Sequence, residues 1–313
     1  HKSSSGHLLL QRTILSLDGG GSHLLIQLSV LACLEDDCSA STYDLFDLIA
    51  GSSSGGLIAC LILGQKTSAN HIIQQIIREN LLEQLMTEHR FGRMLSKLQI
   101  RPKYQGVHKT RTLQKVLETR PLSSLDKQLF IPCFNLSRDQ LEIFTPASQP
   151  DFLLSEVADA CTAAPSFYPP VQLQDGEWRI DGGVGMNNPG LSAYLYAQKC
   201  WEGCNIKMLS IGSGWRSFAV NGLKACGYGG LQWSLEGIAS IILREKMMTH
   251  AKATEALLGE QALYINYPLK QYGMPDPMDS AKDKVFQQKA LDIGKLWYTH
   301  HRKQIWRWLH GYR

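Results

Sequence analysis

At 313 residues, 44% apolar and 19% charged, the chain carries enough apolar material for one large core and too little charge for a disordered polymer. A formal charge of +4 calls for no nucleic-acid partner and is compatible with contact to anionic lipid. Its eight cysteines are scattered through apolar segments, which in a domain of this size reads as reduced thiols in a cytosolic setting. No apolar run reaches the ~20 residues of a membrane-spanning helix.

Residues 1–11 are polar and serine-rich at their start and are set aside as a tail; 12–313 is read as one domain. Arg12 to Leu17 reads as a buried strand that runs into Asp18-Gly19-Gly20-Gly21, after which leucines recur at helical spacing from His23 to Glu35. A second strand–turn–helix unit follows: Phe46 to Ala50, the turn Gly51-Ser52-Ser53-Ser54-Gly55, and an apolar helix from Gly56 to Leu63. Ser68 is placed to cap a longer amphipathic helix through about Met86. Phe91 to Lys109 is basic and aperiodic, the pattern of a loop or lid.

Gln128–Leu136 and Gln140–Phe144 read as neighbouring strands, Ser155–Ala163 as a helix ending before Pro165, and Trp178–Ile180 as a short strand entering Asp181-Gly182-Gly183. Helical residues resume after Pro189, and Ile206–Ile211 is a further buried strand ending in Gly212-Ser213-Gly214. Helical segments over about 231–258 and 281–309, with a strand at 263–267 between them, complete the chain. Strands alternating with helices, with glycine turns at strand ends, predict an α/β fold: a mostly parallel central sheet flanked by helices on both faces.

Two turns carry the chemistry. In Gly51-x-Ser53-x-Gly55, glycines two before and two after the serine let a strand turn sharply into a helix and present the Ser53 hydroxyl at the helix N-terminus. The amides of Gly19, Gly20 and Gly21 open a helix and form a cradle for an anion, either a phosphate or the oxyanion of a tetrahedral intermediate. A dinucleotide site is not indicated, because Leu24 stands where the last glycine of G-x-G-x-x-G is needed and no G-K-[ST] follows.

Taken together, Ser16–Gly21, Gly51–Gly56, Ala163–Pro170, Ile180–Val184, Asn187-Asn188-Pro189 and Ser210–Gly214 resemble, in order, the motifs of the patatin-like phospholipase family over about residues 12–215. The resemblance implies a three-layer fold and a lipid acyl hydrolase acting through a Ser53–Asp181 dyad, with oxyanion donors at Gly19, Gly20 and Gly21. It implies no catalytic histidine, cofactor or metal, a phospholipid or other lipid ester as substrate, peripheral contact with a membrane surface, and in some members activation by an effector or protein partner. One departure stands out: where the family carries Arg or Lys followed by Gly, this chain has His23-Leu24, so His23 is a candidate for positioning substrate.

Other readings remain open at this level. A Ser-Asp-His esterase would draw its histidine from His250, His300, His301 or His310, and a non-catalytic lipid-binding module would keep the fold alone. For membrane contact, the last helix offers Lys295, Trp297, Arg302, Lys303, Trp306, Arg307 and Trp308, whose tryptophans suit either a headgroup interface or the core. Arg93, Lys97, Arg101, Lys103, Lys109 and Arg111 form an equal candidate.

Overall fold

The computed structural model describes residues 10–89, 101–217, 220–235, 237–274 and 282–311. Strand β1 (Gln11–Leu17) leads through the glycine loop to helix α1 (Leu24–Cys38), and a short helix α2 (Thr42–Leu45) precedes β2 (Leu48–Gly51). Helices α3 (Ser54–Gln65), α4 (Ala69–Arg78), α5 (Leu81–Leu85) and α6 (Gly106–Leu117) come next. Then follow β3 (Gln128–Asn135), β4 (Gln140–Phe144), α7 (Leu154–Cys161), β5 (Val171–Gln172), β6 (Trp178–Asp181) and α8 (Gly190–Cys200). The remainder comprises β7 (Asn205–Ile211), α9 (Gly222–Ala225), α10 (Gly230–Leu235), α11 (Ile238–Leu258), β8 (Ala262–Ile265) and α12 (Lys284–His310).

The strands form one mixed sheet in the order β5-β6-β3-β2-β1-β7-β8, with β4 also paired to β3. From β3 to β8 the neighbours are parallel, and β4, β5 and β6 extend the sheet in antiparallel fashion. Side-chain alternation divides the core in two. Leu15, Leu17, Ile49, Leu209 and Ile211 face a large cluster with α1, α3 and α12, whereas Ile14, Leu48, Ala50 and Met208 face a smaller one with α8. The expected sheet with helices on both faces is the observed one.

Three elements differ from the sequence reading. The helix expected to run from Ser68 to Met86 breaks at Asn80, which sits in the left-handed region at φ 54°. The expected loop ending at Lys109 is helical from Gly106 onward, and Lys109 is buried; of the other cations in that stretch, Arg93 and Lys97 lie outside the described residues. On α12 the tryptophans divide: Trp297 and Trp308 are buried, while Trp306 is 58% exposed.

Trp308 sits at the start of the parallel strands. Its indole N–H donates to the Gln261 carbonyl, its own carbonyl accepts from Lys207 Nζ, and its ring lies 6.4 Å from that of Phe46. The last turn of α12 therefore lies at the sheet end opposite the glycine turns that follow β1 and β2.

Among the described residues, no helix is long and apolar enough to cross a membrane. Trp297→Ala should lower the unfolding free energy by about 3–5 kcal/mol through cavity formation, and Trp306→Ala should change it by no more than about 0.5 kcal/mol. Urea unfolding of the two variants measures both.

Candidate active site

Chain direction along the sheet sets the location of the site. The chain winds from β1 to β2 and β3 on one side and returns to β7 and β8 on the other, so the C-terminal end of β1 lies at a topological switch point, where crevices form in open α/β sheets. The Asp18–Gly21 loop occupies that point. It is held from both sides: Asp18 N–H donates to Ile211 O, Ser52 N–H to Leu17 O, Gly19 N–H to Asn187 O, and Ser213 Oγ to Gly19 O. The Ser213 and Asn187 motifs are thus clamps on the glycine loop.

Ser53 is the hinge between β2 and α3, at φ 51° and ψ −120°, a conformation that a residue with a side chain adopts only under constraint. The constraint is steric: a Cβ on Gly51 would lie 2.2 Å from Gly55 O, and one on Gly55 would lie 2.4 Å from Leu17 O. With those glycines the turn closes against β1 and lifts Ser53 to the first turn of α3.

Asp181 ends β6, which is anchored by the buried Arg179. Both terminal nitrogens of that guanidinium bond Asp175 at 2.6 Å, and Nε bonds Glu142 at 2.9 Å. The Asp181 Oδ1 atom accepts Gly183 N–H at 2.7 Å, and Oδ2 accepts a short hydrogen bond from the Ser53 hydroxyl. Two side chains 128 positions apart are thus brought into contact. Burial raises the Asp181 pKa to about 6, opposed by the Ser53 and Gly183 hydrogen bonds and by the charge of Lys109. Neither hydrogen bond of Asp181 involves an imidazole, and among the triad candidates His301 is occupied on α12 by Tyr267 OH and Gln304.

The other expected site residues divide. Gly19 N–H is committed to Asn187 O and Gly20 N–H to Ser54 Oγ at 3.0 Å, so among the described residues Gly21 N–H is the cradle amide without a protein acceptor. Ser54, first residue of α3, adds a second N–H without an intrahelical acceptor; the sequence reading missed it, although its place directly after the hinge serine was the available signal. His23, expected to position substrate, lies beneath the glycine loop rather than on the surface. It is 4% exposed, its ring stacks on Phe286 at 5.6 Å, and burial, assisted by the charge of Arg216, lowers its pKa to about 4, so it is a neutral core residue.

A narrow cleft, about 60 Å³ in volume, opens beside Ser53 and Ser54. Its walls are chiefly apolar, among them Leu57, Leu82, Leu85, Met86, Leu113 and Phe167. The pattern that defines patatin-like phospholipases matches residues 15–194, a span that includes the glycine loop, the hinge serine and Asp181. The chain belongs to the patatin-like phospholipase family.

Family relatives include patatin-like protein 2 of Oryza sativa, 30% identical over 228 residues, covering 63% of this chain and 55% of the relative. Patatin-like protein 1 of Arabidopsis thaliana is 32% identical over 214 residues, covering 60% and 52%. Probable inactive patatin-like protein 9 of Arabidopsis thaliana is 27% identical over 234 residues, covering 64% and 60%. The matched region thus spans little more than half the length of these relatives. Among solved structures, VipD from Legionella pneumophila superposes with a TM-score of 0.48 at 15% identity, covering 93% of this chain and 67% of that one.

Asp18 received no role from the sequence. It is fully buried, accepting Asn188 Nδ2 at 2.8 Å and Tyr264 OH at 2.6 Å, and thereby ties the glycine loop to β8. Burial raises its pKa to about 7, against the pull of those two bonds. A carboxyl raised in the folded state stabilises fully below its unfolded value of about 4, and that contribution is lost as pH rises through the folded value. His23, lowered to about 4, acts in the opposite sense below about pH 6.5, so the Asp18 contribution is read by difference. Relative to the native chain, Asp18→Asn should gain stability progressively between about pH 4 and about pH 7, by at most about 1.4 kcal/mol per pH unit. Urea unfolding of both proteins across that window checks the trend.

Proposed function

We propose that this chain hydrolyses fatty-acyl esters of lipids, of phospholipase A or lysophospholipase type, through an acyl-enzyme on Ser53 with Asp181 as base. The observation that carries the reading is the hydrogen bond from Ser53 Oγ to Asp181 Oδ2 at the head of an apolar cleft. An acyl chain seated between Leu57, Leu82 and Leu113 brings its ester carbonyl toward Ser53. Asp181 takes the hydroxyl proton as Ser53 Oγ attacks the carbonyl carbon, and the N–H groups of Gly21 and Ser54 receive the developing oxyanion. Collapse expels the alcohol, which takes the proton back from Asp181; water then attacks the acyl-enzyme by the same exchange and frees the fatty acid.

A carboxylate at its ordinary pKa near 4 is a weak base for a serine hydroxyl. Burial of Asp181 strengthens it, and direct contact removes the need for a relay. Lipid esters present themselves at bilayer surfaces, so the protein is proposed to act there as a peripheral enzyme, with the mouth of the cleft toward the lipid. The exposed Trp306 lies at the far end of the sheet and is not part of that contact.

With a mixed panel of phospholipids and lysophospholipids as substrate, the native chain should release fatty acids, while Ser53→Ala and Asp181→Asn should each lower kcat by about 10⁴ with melting little changed. The rate should rise with pH through about 6, as Asp181 loses its proton, and then level off. Near-native turnover in either variant eliminates the dyad.

A further inference from the structure

Lys109 is 2% exposed yet borders the cleft that holds Ser53. Every face of its ammonium is occupied. It donates to Asp159 O at 2.8 Å and to Thr162 Oγ1 at 3.1 Å, pairs with Asp159 Oδ1 at 3.1 Å, and lies 4.2 Å from the centre of the Tyr168 ring. Two of its protons go to Asp159 O and Thr162 Oγ1, and the Asp159 carboxylate stands against it as an ion pair. It is therefore not a receptor for a substrate anion.

Its partners are the last turn of α7 and the residue that follows, and this short stretch touches both members of the pair. Ala163, next after Thr162, accepts the Asp181 N–H at 3.1 Å, and Cys161 Sγ lies 3.7 Å from the Ser53 carbonyl. We propose that Lys109 is a positioning residue for the Ser53–Asp181 pair: it clamps the end of α7 on which both residues rest. This rests on the hydrolase reading above.

The titratable groups packed around Asp181 are few. Cys133 on β3 and Cys161 on α7 are buried thiols pushed well above their ordinary value and so stay neutral. Among the described residues, Lys109 on α6 is a cation acting on Asp181, and Asp159 on α7 is paired with that cation. Burial pulls Lys109 below the usual lysine range, and the carboxylate of Asp159 pulls it back. A merely structural ion pair would hold α7 in place but leave the ionisation of Asp181 unmoved.

The test follows the Asp181 carboxyl by ¹³C NMR in aspartate-labelled protein, assigned with Asp181→Asn, beside kcat and KM for lipid hydrolysis as functions of pH. The double variant Lys109→Met/Asp159→Asn removes the pair together and leaves no lone buried charge. In it the Asp181 midpoint and the acid limb of kcat should move up together, with KM little altered. Asp159→Asn alone keeps the cation and should move the midpoint down, which decides the matter should the double variant fail to fold. A native midpoint in the double variant, or no downward movement in Asp159→Asn, overturns the proposal. Failure of the hydrolase reading shows separately: the native chain would release no fatty acid and a fluorophosphonate probe would leave Ser53 unlabelled, while the NMR titration would still report on Lys109.

Discussion

Backbone pressed on backbone determines the shape of this molecule at its chemical end. The turn after β2 lies so close to the end of β1 that Gly55 has no room for a methyl group before the Leu17 carbonyl. That contact drives Ser53 into its positive-φ hinge, turns the chain from β2 back over the sheet as α3 and leaves the α3 N-terminus beside the Asp18–Gly21 loop. Loosening it would displace the serine, the amides and the wall of the cleft together, since Ser53, Ser54 and Leu57 belong to one short stretch of chain.

Around this turn the protein buries three carboxyls and treats each differently. Asp159 has a cation against it, the usual way to keep a charge out of water. Asp18 has only neutral donors, Asn188 and Tyr264, and its affinity for a proton rises accordingly. Asp181 lies between these cases, with a hydroxyl, an amide and the field of a neighbouring ammonium. Desolvation dominates in both raised groups, and partner chemistry sets how far each travels.

Much of this was legible in the sequence because backbone constraints leave local marks. Glycines at 51 and 55 and the run from 19 to 21 are demanded by space that a side chain would fill, and apolar runs before them mark the strands. The parallel sheet followed from the alternation of those units. Lys109 was not legible: a lysine in a basic, aperiodic stretch reads as solvated, and the carboxylate that buries it lies fifty positions away on another helix. The burial of His23 was not legible for a similar reason, since Phe286, which stacks on it, belongs to the last helix. Nothing short-range announced the break at Asn80, whose left-handed backbone divides one amphipathic pattern into two helices.

The floor of the sheet, by contrast, holds the first and last of the described elements. Leu10 meets Asn205 at the start of β7, and the last turn of α12 rests beside Lys207 and Gln261. Leu10 and the last turn of α12 therefore sit on the underside, one strand length (about 15–20 Å) from the cleft. A label or tether fixed to either would start from the face turned away from the mouth.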